Sequence, residues 1–100
     1  MLIEERCYVL HATSSPQDFL EAYRKTGQEV QTRTLGGLVG YYVTEIGELN
    51  AIVSLWRYDS FEQRQSRRAT LAKDPQWQVY LAVVRPMIKS LTNRLMTQVI

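Results

Sequence analysis

The stretch Ala51-Ile52-Val53-Ser54-Leu55-Trp56 carries apolar side chains at both phases of a two-residue period, as a strand buried on two faces does. Leu38 to Ile46 is nearly as apolar on both phases, and Gly47-Glu48 between the two segments is a turn signal. Two-residue and four-residue loops give this hairpin one register. Val39, Tyr41, Val43 and Glu45 then share a face with Trp56, Ser54, Ile52 and Asn50, and Gly40, Tyr42 and Thr44 share the other with Leu55, Val53 and Ala51.

The rest of the chain divides by the same reading. Leu2 to His11 is a first strand, ended by Thr13-Ser14-Ser15-Pro16. Ser15 caps a helix with Pro16 at its first position, and Phe19, Tyr23, Thr26, Gly27 and Val30 fall on one side of it. This helix is expected to end near Gly27 or a few residues later, before the break at Gly36-Gly37. Ser60 and Gln63 form a capping box for a second helix running to about Lys73, whose apolar side is expected to be Phe61, Ala69, Leu71 and Ala72. Asp74-Pro75 opens a third, shorter helix with a stripe of Trp77, Tyr80, Leu81 and Val84, stopped by Pro86. Ser90 to Ile100 is the last strand.

The order β-α-β-β-α-(α)-β, in one domain over residues 1–100, is the ferredoxin-like split pattern, an α+β fold with an antiparallel sheet. Right-handed crossovers put the helices on one side of that sheet. The other side is left bare, yet strand three is apolar there as well. A second copy packed face to face removes the mismatch, so a homodimer through the sheet face is expected.

Composition narrows the function classes. The chain is 45% apolar and 22% charged with a net charge of +2, and no basic run or nucleic-acid motif points to DNA or RNA. Cys7 is the only cysteine and His11 the only histidine, and the acids are scattered, so neither a disulfide, a metal site nor a cofactor is expected. No apolar run is long enough for a membrane span, so neither a span nor a signal peptide is expected, and a cytoplasmic location is the default expectation. Cys7 reads as a small apolar side chain rather than a nucleophile, and His11 as a surface residue with a lesser claim as a general base.

The second helix carries the chemistry that stands out. Arg64 and Arg68 lie by helical angle within its core-facing side, and Arg67 lies towards the edge. A buried guanidinium needs a partner or a cavity. Two readings stand side by side: a pocket between helix and sheet that accepts a carboxylate or other anion, or arginine stems that cover apolar surface and pair with Glu4, Glu45 or Asp59.

With these segments in order, the chain resembles the NIPSNAP family. The likeness runs through Glu4-Glu5-Arg6-Cys7-Tyr8, Leu38-Val39-Gly40-Tyr41-Tyr42, Thr44-Glu45-Ile46-Gly47-Glu48-Leu49-Asn50 and Leu55-Trp56-Arg57-Tyr58-Asp59-Ser60. It continues through Arg64, Arg67, Arg68, Asp74-Pro75-Gln76-Trp77 and Tyr80. The resemblance implies a dimeric α+β barrel and brings no settled activity. Ala12-Thr13-Ser14-Ser15 stands where family members often carry Pro-Gly, and Ser54 where they often carry histidine. The leading expectation is a dimeric protein that binds a small anionic or aromatic molecule in a pocket lined by Arg6, Tyr41, Asn50, Trp56, Arg64 and Arg68. The alternatives are a cofactor-independent or haem-type monooxygenase of the same superfamily, using Asn50, Trp56 and Tyr41 or His11, and a structural or interaction protein without a ligand.

Overall fold

The computed structural model describes residues 1–100. Strand β1 (Leu2–Leu10) leads into helix α1 (Pro16–Ala22), a π-helical turn (Tyr23–Gly27) and helix α2 (Gln28–Leu35), which run on without a break. The hairpin β2 (Leu38–Val43) and β3 (Ala51–Tyr58) follows, then α3 (Phe61–Ala72), α4 (Pro75–Val84), a 3-10 turn (Arg85–Met87) and β4 (Ile88–Thr97). The strands form one antiparallel sheet in the order β2-β3-β1-β4. This is the expected ferredoxin-like α+β architecture.

Local chemistry explains the element ends. Ser15 Oγ accepts from the Asp18 amide at 3.1 Å while Asp18 reaches back to the Ser15 amide at 3.1 Å, a complete capping box. At α3, Ser60 Oγ accepts from the Gln63 amide, but Gln63 reaches one residue further back, to the Asp59 amide at 2.9 Å. Asp74 caps α4 through bonds from the Gln76 and Trp77 amides. The first helix, expected to end near Gly27 or a few residues later, runs through the π turn and on to Leu35. The Tyr80 ring lies so close that a Cβ on Gly27 would sit 2.7 Å from it. Helix α2 ends instead at Gly36-Gly37. Gly37 has φ +60°, and a Cβ there would meet the Arg57 carbonyl at 2.1 Å.

The hairpin register is the expected one: Tyr41 faces Ser54, Tyr42 faces Val53 and Val43 faces Ile52. Two details differ. Leu38 rather than Val39 faces Trp56, because a bulge at Val39 shifts the ladder. Strand β2 also stops at Val43 and not at Ile46, and the following loop carries Ile46 and Leu49 into solvent.

One phase of the sheet looks at the helices. Ile52, Ser54, Trp56 and Tyr58 on β3 and Glu4, Arg6, Tyr8 and Leu10 on β1 are all buried there. Behind them Phe19, Tyr23, Val30, Leu35, Leu71, Trp77, Tyr80 and Val84 complete the core. The opposite face carries Ile3, Cys7, Val9, Val53 and Leu55, all half-buried in the single chain, with Tyr42 48% exposed. Ala51, expected on this bare face, is instead buried within the chain itself. The expected apolar side of α3 is also corrected. Phe61, Ala69 and Ala72 are exposed, and only Leu71 is buried, because the helix is rolled to turn Arg64, Arg67 and Arg68 inward.

Candidate functional site

The arginines turn inward because a carboxylate is waiting for one of them. On β1 the helix-facing phase reads Leu2, Glu4, Arg6, Tyr8, Leu10, which puts an acid and a base in mid-sheet under α3. Glu4 is 0% exposed. Its Oε2 accepts from Arg6 Nη1 at 3.0 Å, Arg64 Nη2 at 2.9 Å and Asn93 Nδ2 at 3.0 Å, and its Oε1 accepts from Arg64 Nε at 3.2 Å. Both carboxylate oxygens are thus held by charged or amide donors from β1, α3 and β4. Burial alone would raise the Glu4 carboxyl, but the bonds from Arg64 and Asn93 and the charge of Arg6 outweigh it and hold it down at about 2. Arg6 completes its own set by donating Nε to Tyr8 Oη at 2.9 Å. Arg67, at the helix edge, donates to the Leu35 carbonyl at 2.8 Å and ties α3 to the end of α2.

Arg68 has no such arrangement. Its Nη1 is enclosed and has no hydrogen-bond partner. Burial, and after it the like charge of Arg6, push its guanidinium below the usual arginine value. The cluster therefore holds three guanidiniums (Arg6, Arg64 and Arg68) against the single carboxylate of Glu4. A cavity of about 180 Å³ opens beside it, between the sheet and helices α1 and α4. Arg6 and Arg68 stand on its polar wall and Tyr8, Phe19, Trp77 and Tyr80 on its aromatic one, and the exposed Arg85 lies on its rim. The aromatic wall is packed ring on ring: Tyr8–Phe19 at 5.5 Å, Phe19–Tyr80 at 6.4 Å and Trp77–Tyr80 at 4.8 Å between centroids. An arginine without a hydrogen-bond partner at a cavity wall has the donor geometry to hold a negative group.

The residues expected to line one pocket are distributed as follows. Arg6 and Arg68 line the cavity. Arg64 stands behind it, occupied by Glu4. Tyr41 is committed to the core: its hydroxyl donates to Gln31 Oε1 at 2.7 Å and its ring stacks on Tyr23 at 4.4 Å. Trp56 is fully buried, with Nε1 donating to Ser54 Oγ at 3.1 Å and its ring edge-on to Tyr41. Asn50 sits at the start of β3 with φ +56°, its amide 3.5 Å from the His11 carbonyl. His11 itself is exposed beyond the end of β1. Cys7 lies on the opposite sheet face, and its thiol is pushed up by burial and by Glu48 and Glu5, which leaves little thiolate. Arg64 pairs with Glu4, and Arg68 lines a cavity. Glu4 was foreseen as a partner of the arginines but not as a fully buried one, and Tyr8, Tyr80 and Asn93 were not foreseen at the site. The signal for Glu4 was present, since it shares the phase of Tyr8 and Leu10 on β1.

Sheet, helices and cavity together define an α+β domain of ferredoxin-like topology, the subunit type of dimeric α+β barrels, with a cationic pocket between sheet and helices. Comparison with known proteins makes this specific: the NIPSNAP family model matches residues 3–100, and the chain belongs to that family. It is 39% identical over 77 residues to human protein NipSnap homolog 3A, a match covering 75% of this chain and 30% of that protein. The chain thus spans less than a third of the length of the curated relatives it matches. A solved NIPSNAP family protein from Agrobacterium tumefaciens superimposes with a TM-score of 0.93 at 35% identity, covering 98% of this chain and 92% of that one. The fold extends further. SnoaB, a cofactor-independent oxygenase from Streptomyces nogalater, matches 97% of this chain and 91% of its own at a TM-score of 0.60 and 13% identity, a likeness of fold alone. No helix of the chain is long and apolar enough to cross a membrane.

Proposed function

We propose that this protein binds a small anionic molecule with apolar or aromatic character in the cavity beside Arg68, as a homodimer joined through the bare sheet face. One observation supports the binding reading: Arg68 lines the cavity, and its guanidinium makes no hydrogen bond within the chain. A carboxylate or similar group arriving from solvent gains a charge-assisted bond to this half-buried guanidinium without displacing a partner. The half-buried apolar side chains of the opposite face, Val53 and Leu55 at their centre, support the assembly, since face-to-face packing of two sheets would cover them. A reducing, cytoplasmic setting fits the free thiol of Cys7. The oxygenase alternative needs Asn50, Tyr41, Trp56 or His11 around the bound molecule, and none of these lies on the cavity wall.

A thermal-shift panel of small carboxylates and neutral aromatics on wild type and Arg68→Ala tests the reading. Arg68→Ala is expected to fold with stability within about 1 kcal/mol of wild type, because the lost guanidinium had no bond at Nη1 to lose. It should also lose the stabilisation that carboxylates give the wild type. Equal shifts in both proteins, or none in wild type, would overturn it.

A further inference from the structure

The size and wall chemistry of the cavity restrict the ligand more narrowly than charge does. At about 180 Å³ it lies below the range of roughly 300–1,000 Å³ typical of pockets for drug-sized ligands. It is close to an apolar void of about 150 Å³, which accommodates one benzene ring. Eight of its eleven lining residues are hydrophobic, so most of the occupant must be apolar. The aromatic part of the wall is fixed from behind. The Tyr80 ring packs against Gly27 with no room for a Cβ between them, so it cannot retreat to enlarge the space. The polar part offers little choice. Arg6 spends Nε on Tyr8 and Nη1 on Glu4, and Arg64 is bonded to both oxygens of Glu4. Arg68, on the cavity wall, makes no hydrogen bond within the chain, so its planar donor fork is free for a carboxylate.

We propose that the cavity takes a single-ring carboxylate, with its charged end on the Arg68 guanidinium and its ring against Tyr8, Phe19 and Tyr80. This rests on the anion-binding reading above and adds the substrate class. Leu91 forms part of the outer wall and is 47% exposed, so shortening it widens the cavity without removing a core side chain. Tyr80 and Gly27 set the inner limit and Leu91 the outer one.

The test is calorimetric titration of the full chain with four probes: benzoate, butyrate, 2-naphthoate and benzyl alcohol. Benzoate is expected to bind at least tenfold more tightly than each of the others. Arg68→Gln should weaken benzoate at least tenfold and leave benzyl alcohol unchanged. Leu91→Ala should improve 2-naphthoate at least tenfold. If butyrate or 2-naphthoate matches benzoate in wild type and both depend on Arg68, the ring assignment falls and the anion reading stands. If benzyl alcohol matches benzoate, or Arg68→Gln binds benzoate as wild type does, the anion reading falls as well. Absence of any binding by benzoate overturns both.

Discussion

Replacing Glu4 by Gln keeps the shape of the side chain and removes its charge, leaving Arg6, Arg64 and Arg68 with no counter-ion beneath α3. The magnitude follows from the carboxyl itself. Its folded value of about 2 lies below the ordinary 4.5, so the ionised form stabilises the fold above pH 4.5 and that contribution is lost as pH falls through 2. The gap between those values, at about 1.4 kcal/mol per pH unit, amounts to about 3 kcal/mol. Mutational experience with one partner of a buried ion pair removed gives a similar range, about 3–5 kcal/mol. With both arginine side chains at most 13% exposed, solvent screening removes little of this. Urea unfolding of wild type and Glu4→Gln at equal protein concentration, from pH 7 to pH 2, is the assay. The variant should be less stable by about 3 kcal/mol at pH 7, equivalent to a melting-temperature loss of roughly 12–24 °C for a domain of this size. The difference should narrow between pH 4.5 and 2, where wild-type Glu4 takes up its proton. A deficit under about 1 kcal/mol at pH 7, or one that persists unchanged to pH 2, would show that the Glu4 charge does not hold the arginine cluster.

The remaining expectations concern packing and assembly. Gly27→Ala should cost about 1–3 kcal/mol by overpacking against Tyr80, and should weaken benzoate binding by displacing that ring into the cavity; unchanged stability and binding would show that the ring is free to move. Leu55→Glu, which puts a charge in the middle of the bare face, should give a single subunit in analytical ultracentrifugation at a concentration where wild type sediments as a dimer; identical sedimentation of the two proteins would count against the sheet-face assembly.

What the sequence made legible was periodic. Apolar runs on both phases of Leu38–Val43 and Ala51–Trp56 gave the hairpin and its register, and Ser15, Ser60 and Asp74 marked the helix starts through their caps. The errors have local physical causes. Periodicity cannot register an inserted residue, so the bulge at Val39 was invisible. Gly27 signalled a helix end, yet the glycine serves close packing against the Tyr80 ring and the chain continues helical past it. The apolar stripe assigned to α3 failed because helical angle alone does not report what lies opposite. Glu4 and the cavity favour arginine inward over Phe61, which is left 50% exposed. Of the candidate site residues, Arg6 and Arg68 come together because charge on a core-facing phase is a strong signal. Tyr41 and Trp56 share their sheet face but are absorbed by the core, with Gln31 and Ser54 taking their polar atoms. Asn50 is set apart by its left-handed turn conformation.

On the proposed reading, Arg68 is free to receive an anion while Arg6 and Arg64 are held by Glu4. Nitrogen-15 NMR of the arginine side chains during benzoate titration reads this directly. The Arg68 guanidinium resonances should move progressively to saturation, with smaller changes at Arg6 and Arg64, which Glu4 already holds. Saturation with no movement at Arg68, or equal movement at every surface arginine including Arg33 and Arg94, would contradict the account.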